Sequence, residues 1–207
     1  MYRVYGDMLS GNCYKIKMLM EFLHIDHEWI HIDILSGKTK TPEFISMNRN
    51  TQIPVLQIEE TDFLTESNAI LNYLAEGTRY LPDSGLSRAK VLQWQFFEQY
   101  SHEPYIAVAR YINKYLGLPQ DKLQEYQSKQ LGGHKALAVM EDQLSKSSYF
   151  VGHSLTIADI SLYAYTHVSH EGGFDLSKYT HIQRWLKQVE EESNYVSMGH
   201  HYAYENP

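Results

Sequence analysis

Pro54, Glu66 and Ser67 are the residues whose types and spacing first suggest chemistry. They share one run, Thr51 to Ile70, which reads Thr-Gln-Ile-Pro-Val-Leu-Gln-Ile, Glu-Glu-Thr-Asp, Phe-Leu-Thr-Glu-Ser-Asn-Ala-Ile. Pro54 opens a β-favouring segment, where a missing N–H is tolerated. An X-Pro bond there can be cis, a state that usually marks a tight, specified turn. A cis bond would turn the Ile53 amide and carbonyl away from the sheet, leaving them to pair with an extended peptide. Glu66 and Ser67 fall at a strand-to-helix junction, where unpaired amides and a partial positive charge suit a carboxylate. Backbone pairing at Ile53 and an anion seat at Ser67 together describe a site for a short, charged peptide. A single proline or serine in such a place is usually structural; the ordered combination carries the reading.

These residues need elements to hold them. Val55–Ile58 reads as a strand, Glu59–Asp62 as a turn of hairpin length and Phe63–Thr65 as the return strand. Ser67 is the expected N-cap of a helix with its apolar stripe at Ala69, Ile70, Tyr73 and Leu74. Upstream, Tyr2–Gly6 alternates as a strand, Asp7–Gly11 is a loop, and a helix runs from Asn12 with Ile16, Leu19, Met20 and Leu23 on one face. Lys15, Lys17 and Glu21 are placed on its outside. Glu28–Ile34 is a second strand, and Pro42 stands at the first position of a short helix. The order is strand, helix, strand, helix, strand, strand, helix.

Gly77–Gly85 is rich in Gly, Pro, Asp and Ser and reads as a linker; beyond it the pattern is helical. The organisation expected is a domain over 1–77, a linker over 78–86 and a helical domain over 87–207. A long helix from Ser87 to about Tyr115 is kinked or split by Pro104, and a second, Gln120–Leu144, is weakened at Gly132-Gly133. Leu155 to about His170, Tyr179–Val189 and a short segment after Glu191 complete the set. Thr156 and Asp159 have the spacing of a capping box, and the helix they begin is apolar nearly all round, so it is buried and caps itself internally.

Composition narrows the function. The 207 residues carry a net charge of -7, which disfavours a nucleic-acid partner. Hydrophobic residues make up 43%, enough for a real core, and no apolar run is long enough to span a membrane. Cys13 is the only cysteine, which rules out an intrachain disulfide and fits a reducing, cytoplasmic setting; no signal peptide is read at the N-terminus. The 11 histidines are scattered. His167 and His170 share a helix face without a third ligand, so no metal is expected.

The run from Ile53-Pro54 to Glu66-Ser67, the element order and the Thr156/Asp159 box resemble the glutathione S-transferase superfamily over nearly the whole chain. The resemblance implies an α/β thioredoxin-like N-terminal domain plus an all-α C-terminal domain, with glutathione as co-substrate and a homodimeric assembly. It implies that Ile53, beside Pro54, pairs with the cysteinyl backbone, that Glu66 reaches the γ-glutamyl amine and Ser67 its carboxylate, and that Lys40 and Gln52 attend the glycyl carboxylate. Lys40 is equally readable as a solvated surface lysine.

Glutathione chemistry needs a thiolate, and a free thiol ionises near ~8.5. Lowering that value by about two takes roughly 2.7 kcal/mol, within reach of a hydroxyl donor and a helix N-terminus. The frame Ser10-Gly11-Asn12-Cys13 resembles the loop that carries two cysteines in thioredoxin-like proteins, with Ser10 at the exposed position and Cys13 at the shielded one. The chain departs from cysteine-type relatives, which carry the thiol at the first position. It resembles a bacterial subgroup in which a Ser or Thr and an Asn two residues on both donate to the sulfur. Ser10 is therefore the expected thiolate donor; Asn12 is a second donor or the N-cap of the first helix. Cys13 is a small buried residue or a redox thiol, and Tyr5 packs in the core or offers a hydroxyl.

His102, Tyr105 and Tyr111 are candidates for an electrophile pocket, although His102 reads more readily as a residue filling a hydrogen bond at a helix kink. The activity expected is conjugation of glutathione to small hydrophobic electrophiles. The rivals are a glutathione-dependent disulfide or peroxide reductase and a non-catalytic interaction module of the same fold.

Overall fold

A computed structural model describes residues 1–199; residues 200–207 lie outside the described part of the chain. The chain divides into two compact units, Met1–Glu76 with the segment beginning at Ser193, and Gly77–Glu192.

The first unit is built on a four-stranded sheet of order β2-β1-β3-β4, with β1 at Tyr2–Gly6, β2 at His27–His31, β3 at Val55–Gln57 and β4 at Phe63–Thr65. β1 runs parallel to β2, pairing Tyr5 with Ile30, and antiparallel to β3, pairing Tyr5 with Val55. β3 and β4 form the hairpin, with Val55 opposite Thr65. This register brings the C-terminal end of β1, the N-terminal end of β3 and the C-terminal end of β4 to one end of the sheet. The second strand stops at His31, short of the expected Ile34, because Ile34 and Leu35 enter a turn tied by the Asp33 carboxylate to the amides of Leu35 and Ser36.

α1, Gly11–Phe22, and α3, Ser67–Ala75, pack on each other. α2, Pro42–Met47, starts at Thr41, whose hydroxyl accepts from Phe44 N, with Pro42 in the first turn. α1 is buried on almost every side, from Cys13 through Met20. This corrects the placement of Lys15 and Lys17 on its outside: Lys15 is 0% exposed and Lys17 8%. Periodicity locates one apolar face of α1 but cannot reveal that its other faces are covered as well. β1 ends at Gly6, where a Cβ would lie 2.7 Å from Cys13 Sγ, so the glycine lets α1 approach the strand. The segment after Ser193, expected to continue the helical domain, joins this unit instead: Tyr14 Oη donates to the Val196 carbonyl at 2.6 Å, and Asn194 Nδ2 lies 3.1 Å from His24 Nε2. Its described residues, 193–199, form turns rather than a helix.

The second unit is helical. α4, Gly85–Phe97, passes through a π turn, Glu98–His102, into α5, Glu103–Arg110, and a further π turn, Tyr111–Tyr115. The wide turn stands just ahead of Pro104, where the missing N–H breaks the regular ladder, so Pro104 modifies the helix without ending it. α6, Leu123–Lys146, is continuous through Gly132-Gly133. Each glycine gives room to an aromatic ring: a Cβ at Gly132 would lie 2.2 Å from Tyr105 Cε1, and one at Gly133 2.2 Å from Phe174 Cε1. α7, Ile157–Thr166, is buried along its whole length and starts with the Thr156/Asp159 capping box. α8, Thr180–Glu190, is amphipathic with Ile182, Trp185 and Val189 inward, and the Glu141 carboxylate accepts from the amides of His181 and Ile182 at its start. Among the described residues no helix is long and apolar enough to cross a membrane.

Candidate active site

The end of the sheet gathers the predicted peptide seat. Ile53–Pro54 is a cis peptide and leads into β3. Because Val55 pairs with Thr65, Pro54 and Glu66 flank the same rung of the hairpin. Glu66 stands at the N-cap of α3 with φ 67° and ψ 111°, and Ser67 is the first helical residue. This shifts the expected cap by one position: Glu66, not Ser67, occupies it, and without a side-chain cap bond. A non-glycine residue in the left-handed region costs about 1–3 kcal/mol, a strain that clusters at ligand sites.

The first loop meets this corner. The Asp7 carboxylate and carbonyl accept from Leu9 N at 2.8 Å and Ser10 N at 3.0 Å, turning the chain into α1. Ser10 is the N-cap of α1, in an extended conformation (φ −75°, ψ 126°), and its hydroxyl makes no cap bond to the helix. Two residues on, Asn12 Oδ1 accepts from Ser67 Oγ at 3.1 Å and from Lys15 Nζ at 2.8 Å, while Lys15 Nζ also reaches Ser67 Oγ at 3.3 Å. The triangle joins the start of α1 to the start of α3. An ammonium only donates, so Lys15 and Ser67 fix the carboxamide oxygen of Asn12 toward themselves and leave Nδ2 as its other end.

Cys13 is fully buried against Gly6, and burial pushes its thiol up to about 12; hydrogen bonding from the Ser10 side chain and the Asp7 backbone offsets only part of this. A thiol held protonated and sealed is a packing residue at neutral pH. Tyr5 Oη donates to Gln57 Oε1 at 2.9 Å along the neighbouring strand, so that hydroxyl serves the sheet.

The remaining candidates are dispersed. Lys40 ends a short 3-10 turn, Lys38–Lys40, and is exposed; Gln52 is exposed, its carbonyl accepting from Asn48 Nδ2 at 2.9 Å. In the helical unit His102 is 0% exposed, with Nε2 2.9 Å from Thr166 Oγ1. Thr166 Oγ1 donates its own hydrogen to the Leu162 carbonyl at 2.7 Å, so the His102 contact is an Nε2–H donation and ties the π turn to α7. Tyr105 lines an open cavity of about 130 Å³ with Phe97, Tyr100, Ser101, Lys135 and Val139. Tyr111 is exposed and stacks on Tyr115 with ring centroids 5.6 Å apart. Among the described residues no three His, Cys, Asp or Glu side chains gather as a metal would require.

Comparison with known proteins decides the family. The domain description "Glutathione S-transferase, N-terminal domain" matches residues 9–76, and "Glutathione S-transferase, C-terminal domain" matches residues 57–192. The chain belongs to the glutathione S-transferase family. A crystal structure of a glutathione S-transferase from Pseudomonas fluorescens is 55% identical, covers 95% of this chain and 98% of its own, and superposes with a TM-score of 0.94. Glutathione S-transferase 2 of Anopheles gambiae is 29% identical over 85% of this chain and 84% of its own length. The disulfide-bond oxidoreductase YfcG of Escherichia coli is 27% identical over 87% of this chain and 86% of its own.

In this member of the family the residue that sequence reasoning missed is Lys15. No signal within α1 marks it: by spacing alone Lys15 reads as a surface residue beside Lys17 and Glu21, and its acceptor Ser67 lies on α3.

Proposed function

We propose that this chain binds glutathione across the shared sheet end and conjugates it, through its sulfur, to small hydrophobic electrophiles. The observation that carries the reading is the Ser67 Oγ–Asn12 Oδ1 contact of 3.1 Å, because it links the peptide corner to the first loop. In this reading the Ile53 backbone pairs with the cysteinyl residue, Glu66 takes the γ-glutamyl amine, Ser67 its carboxylate, and Lys40 and Gln52 the glycyl carboxylate. Ser10, whose hydroxyl does not cap α1, turns from the Cys13 thiol to donate to the sulfur, and the Asn12 Nδ2 end assists. The thiol proton passes to solvent. The thiolate then forms a carbon–sulfur bond while the leaving group departs with its electron pair.

Tyr105, rather than the sealed His102, is the residue of the helical unit proposed to meet the electrophile, with Tyr111 exposed nearby in sequence. We also propose a cytoplasmic homodimer: Phe96 is 60% exposed, Tyr100 80% and Leu131 83%, apolar area that a second copy would cover.

Calorimetry with glutathione, paired with absorbance in the thiolate band, tests the proposal on the intact protein. Ser10→Ala is expected to bind glutathione within a few-fold of the parent. Its thiolate signal and aryl-halide turnover should fall by about 10- to 100-fold, the worth of one hydrogen bond to a charged group. No heat at millimolar glutathione, or a Ser10→Ala protein with undiminished thiolate, would overturn it.

The relationship to YfcG supports a second reading, glutathione-dependent disulfide reduction. Cys13 is sealed and protonated, so on that reading the attacking thiolate is glutathione's own. Turnover of a mixed disulfide exceeding that of an aryl halide would favour it.

A further inference from the structure

Lys15 is a buried cation at the centre of the proposed peptide corner. Its ammonium has three hydrogens and no lone pair, so its contacts to Asn12 Oδ1 at 2.8 Å and to Ser67 Oγ at 3.3 Å are donations. Ser67 has one hydroxyl hydrogen, and in this arrangement it points at Asn12 Oδ1 at 3.1 Å. A carboxylate arriving at Ser67 has only acceptors, so to bind it the hydroxyl must turn its hydrogen away from Asn12. In a partly buried setting an acceptor that loses its donor is costly. Lys15 removes that obstacle, because its own donation keeps Asn12 Oδ1 paired after Ser67 turns. The rotated Ser67 still presents a lone pair to the ammonium. The incoming negative charge also arrives beside a positive one sealed from water, where screening is weak.

We propose that Lys15 is a positioning residue for glutathione recognition: it lets Ser67 hand its single hydroxyl hydrogen from Asn12 to the γ-glutamyl carboxylate while holding the Asn12 carboxamide in place. The inference rests on the reading of this corner as a glutathione seat. It makes Ser67 a switchable donor, with a closed state that satisfies the empty protein and an open state that satisfies the ligand. Lys15 touches neither the sulfur nor the electrophile; it acts through Asn12 and Ser67.

The test compares two ligands on the full chain by calorimetry: glutathione, and 4-aminobutyryl-cysteinylglycine, which lacks only the γ-glutamyl α-carboxylate. The wild-type protein is expected to prefer glutathione by about 10- to 100-fold, the range of a charge-assisted hydrogen bond. In Lys15→Met that preference is expected to shrink to within a few-fold, with affinity for the decarboxylated ligand little changed, and Lys15→Arg should restore part of it. Ser67→Ala should lower the preference to the same degree, and adding Lys15→Met to it should lower it no further. Lys15→Gln, which keeps a donor for Asn12 without the charge, serves where Lys15→Met fails to fold and is expected to show a preference between those of Lys15→Met and the wild type. A residue that merely filled space would weaken both ligands alike. Wild-type preference retained in Lys15→Met or Lys15→Gln overturns the role of Lys15 and leaves the glutathione seat intact; a wild-type protein that takes up neither ligand overturns both.

Discussion

Asp159, fully buried, and Asn12, half-buried, each collect several donors, and they do so in opposite ways. Asp159 Oδ1 accepts from Phe150 N at 3.0 Å and Trp185 Nε1 at 3.1 Å; Oδ2 accepts from Thr156 N at 2.9 Å and Thr156 Oγ1 at 3.0 Å. Three of those donors are N–H groups that can do nothing but donate, so the cluster has one arrangement. Around Asn12 the donors are an ammonium with three hydrogens and a hydroxyl that can turn. That cluster has two arrangements of comparable bonding. A saturated cluster holds a fold, here the start of α7 against α8, whereas an adaptable one can trade a partner for a ligand. Asn12 is half-buried where Asp159 is sealed, yet its donor Lys15 is 0% exposed like Asp159, so the kind of donor separates the two clusters more than burial does.

The sharpest way to break this contrast is Asp159→Ala. It leaves several buried donors without an acceptor and removes the capping box, so a loss of about 3–5 kcal/mol in urea unfolding is expected. Glutathione affinity of the fraction still folded should be unchanged. If affinity fell with stability, the two clusters would not be separable in the way argued.

His167 offers the next test, because it too is locked in the helical unit. Its ring stacks on Tyr163 with centroids 4.6 Å apart, and Nδ1 lies 2.8 Å from the Tyr163 carbonyl. Burial, with Arg110 and His170 nearby, pulls its pKa down to about 4, although Glu171 and the Tyr163 carbonyl pull the other way. A depressed pKa means that the unfolded chain takes up the proton first. The stabilising contribution is complete above about 6.5 and is lost as pH falls through about 4. Relative to His167→Gln, the parent is expected to lose about 3 kcal/mol over that window. Asp159 slopes the opposite way: burial raises it to about 6, so its contribution is complete below 3.8 and lost as pH rises through 6. The parent curve alone is flattened by this opposition, and the difference between the two proteins is the quantity to measure. Superimposable curves would mean that His167 is not sealed.

How much of this was legible in the amino acids depended on whether a feature is local. The strand–helix order, the hairpin and the Thr156/Asp159 box are set by neighbours within a few residues, and each is present. The start of α3 was misplaced by one residue because Glu66 adopts a left-handed conformation that only its tertiary setting makes tolerable. α6 survives Gly132-Gly133 because Tyr105 and Phe174, distant in sequence, fill the space the glycines leave. Lys15 was hidden for the same kind of reason. Its burial and its acceptor Ser67 come from α3, 52 positions along the chain, and no helical periodicity within α1 encodes them.

The smallest effect on stability is expected from Ser67→Ala, and it completes the comparison with Asp159. Removing the hydroxyl leaves Asn12 Oδ1 with its Lys15 donor at 2.8 Å, so no buried acceptor is stranded. The ammonium loses one of its contacts, but its donation to Asn12 persists. The cost to folding should stay within about 1 kcal/mol, the net worth of one ordinary hydrogen bond. Glutathione affinity should nevertheless fall about 10-fold or more, since the lost bond is to a charged carboxylate. Paired urea and calorimetric titrations read both quantities on the same protein. A Ser67→Ala protein destabilised as severely as Asp159→Ala would mean that the Asn12 cluster is also a fold-holding one with no slack for a ligand, and the distinction between the two would be gone.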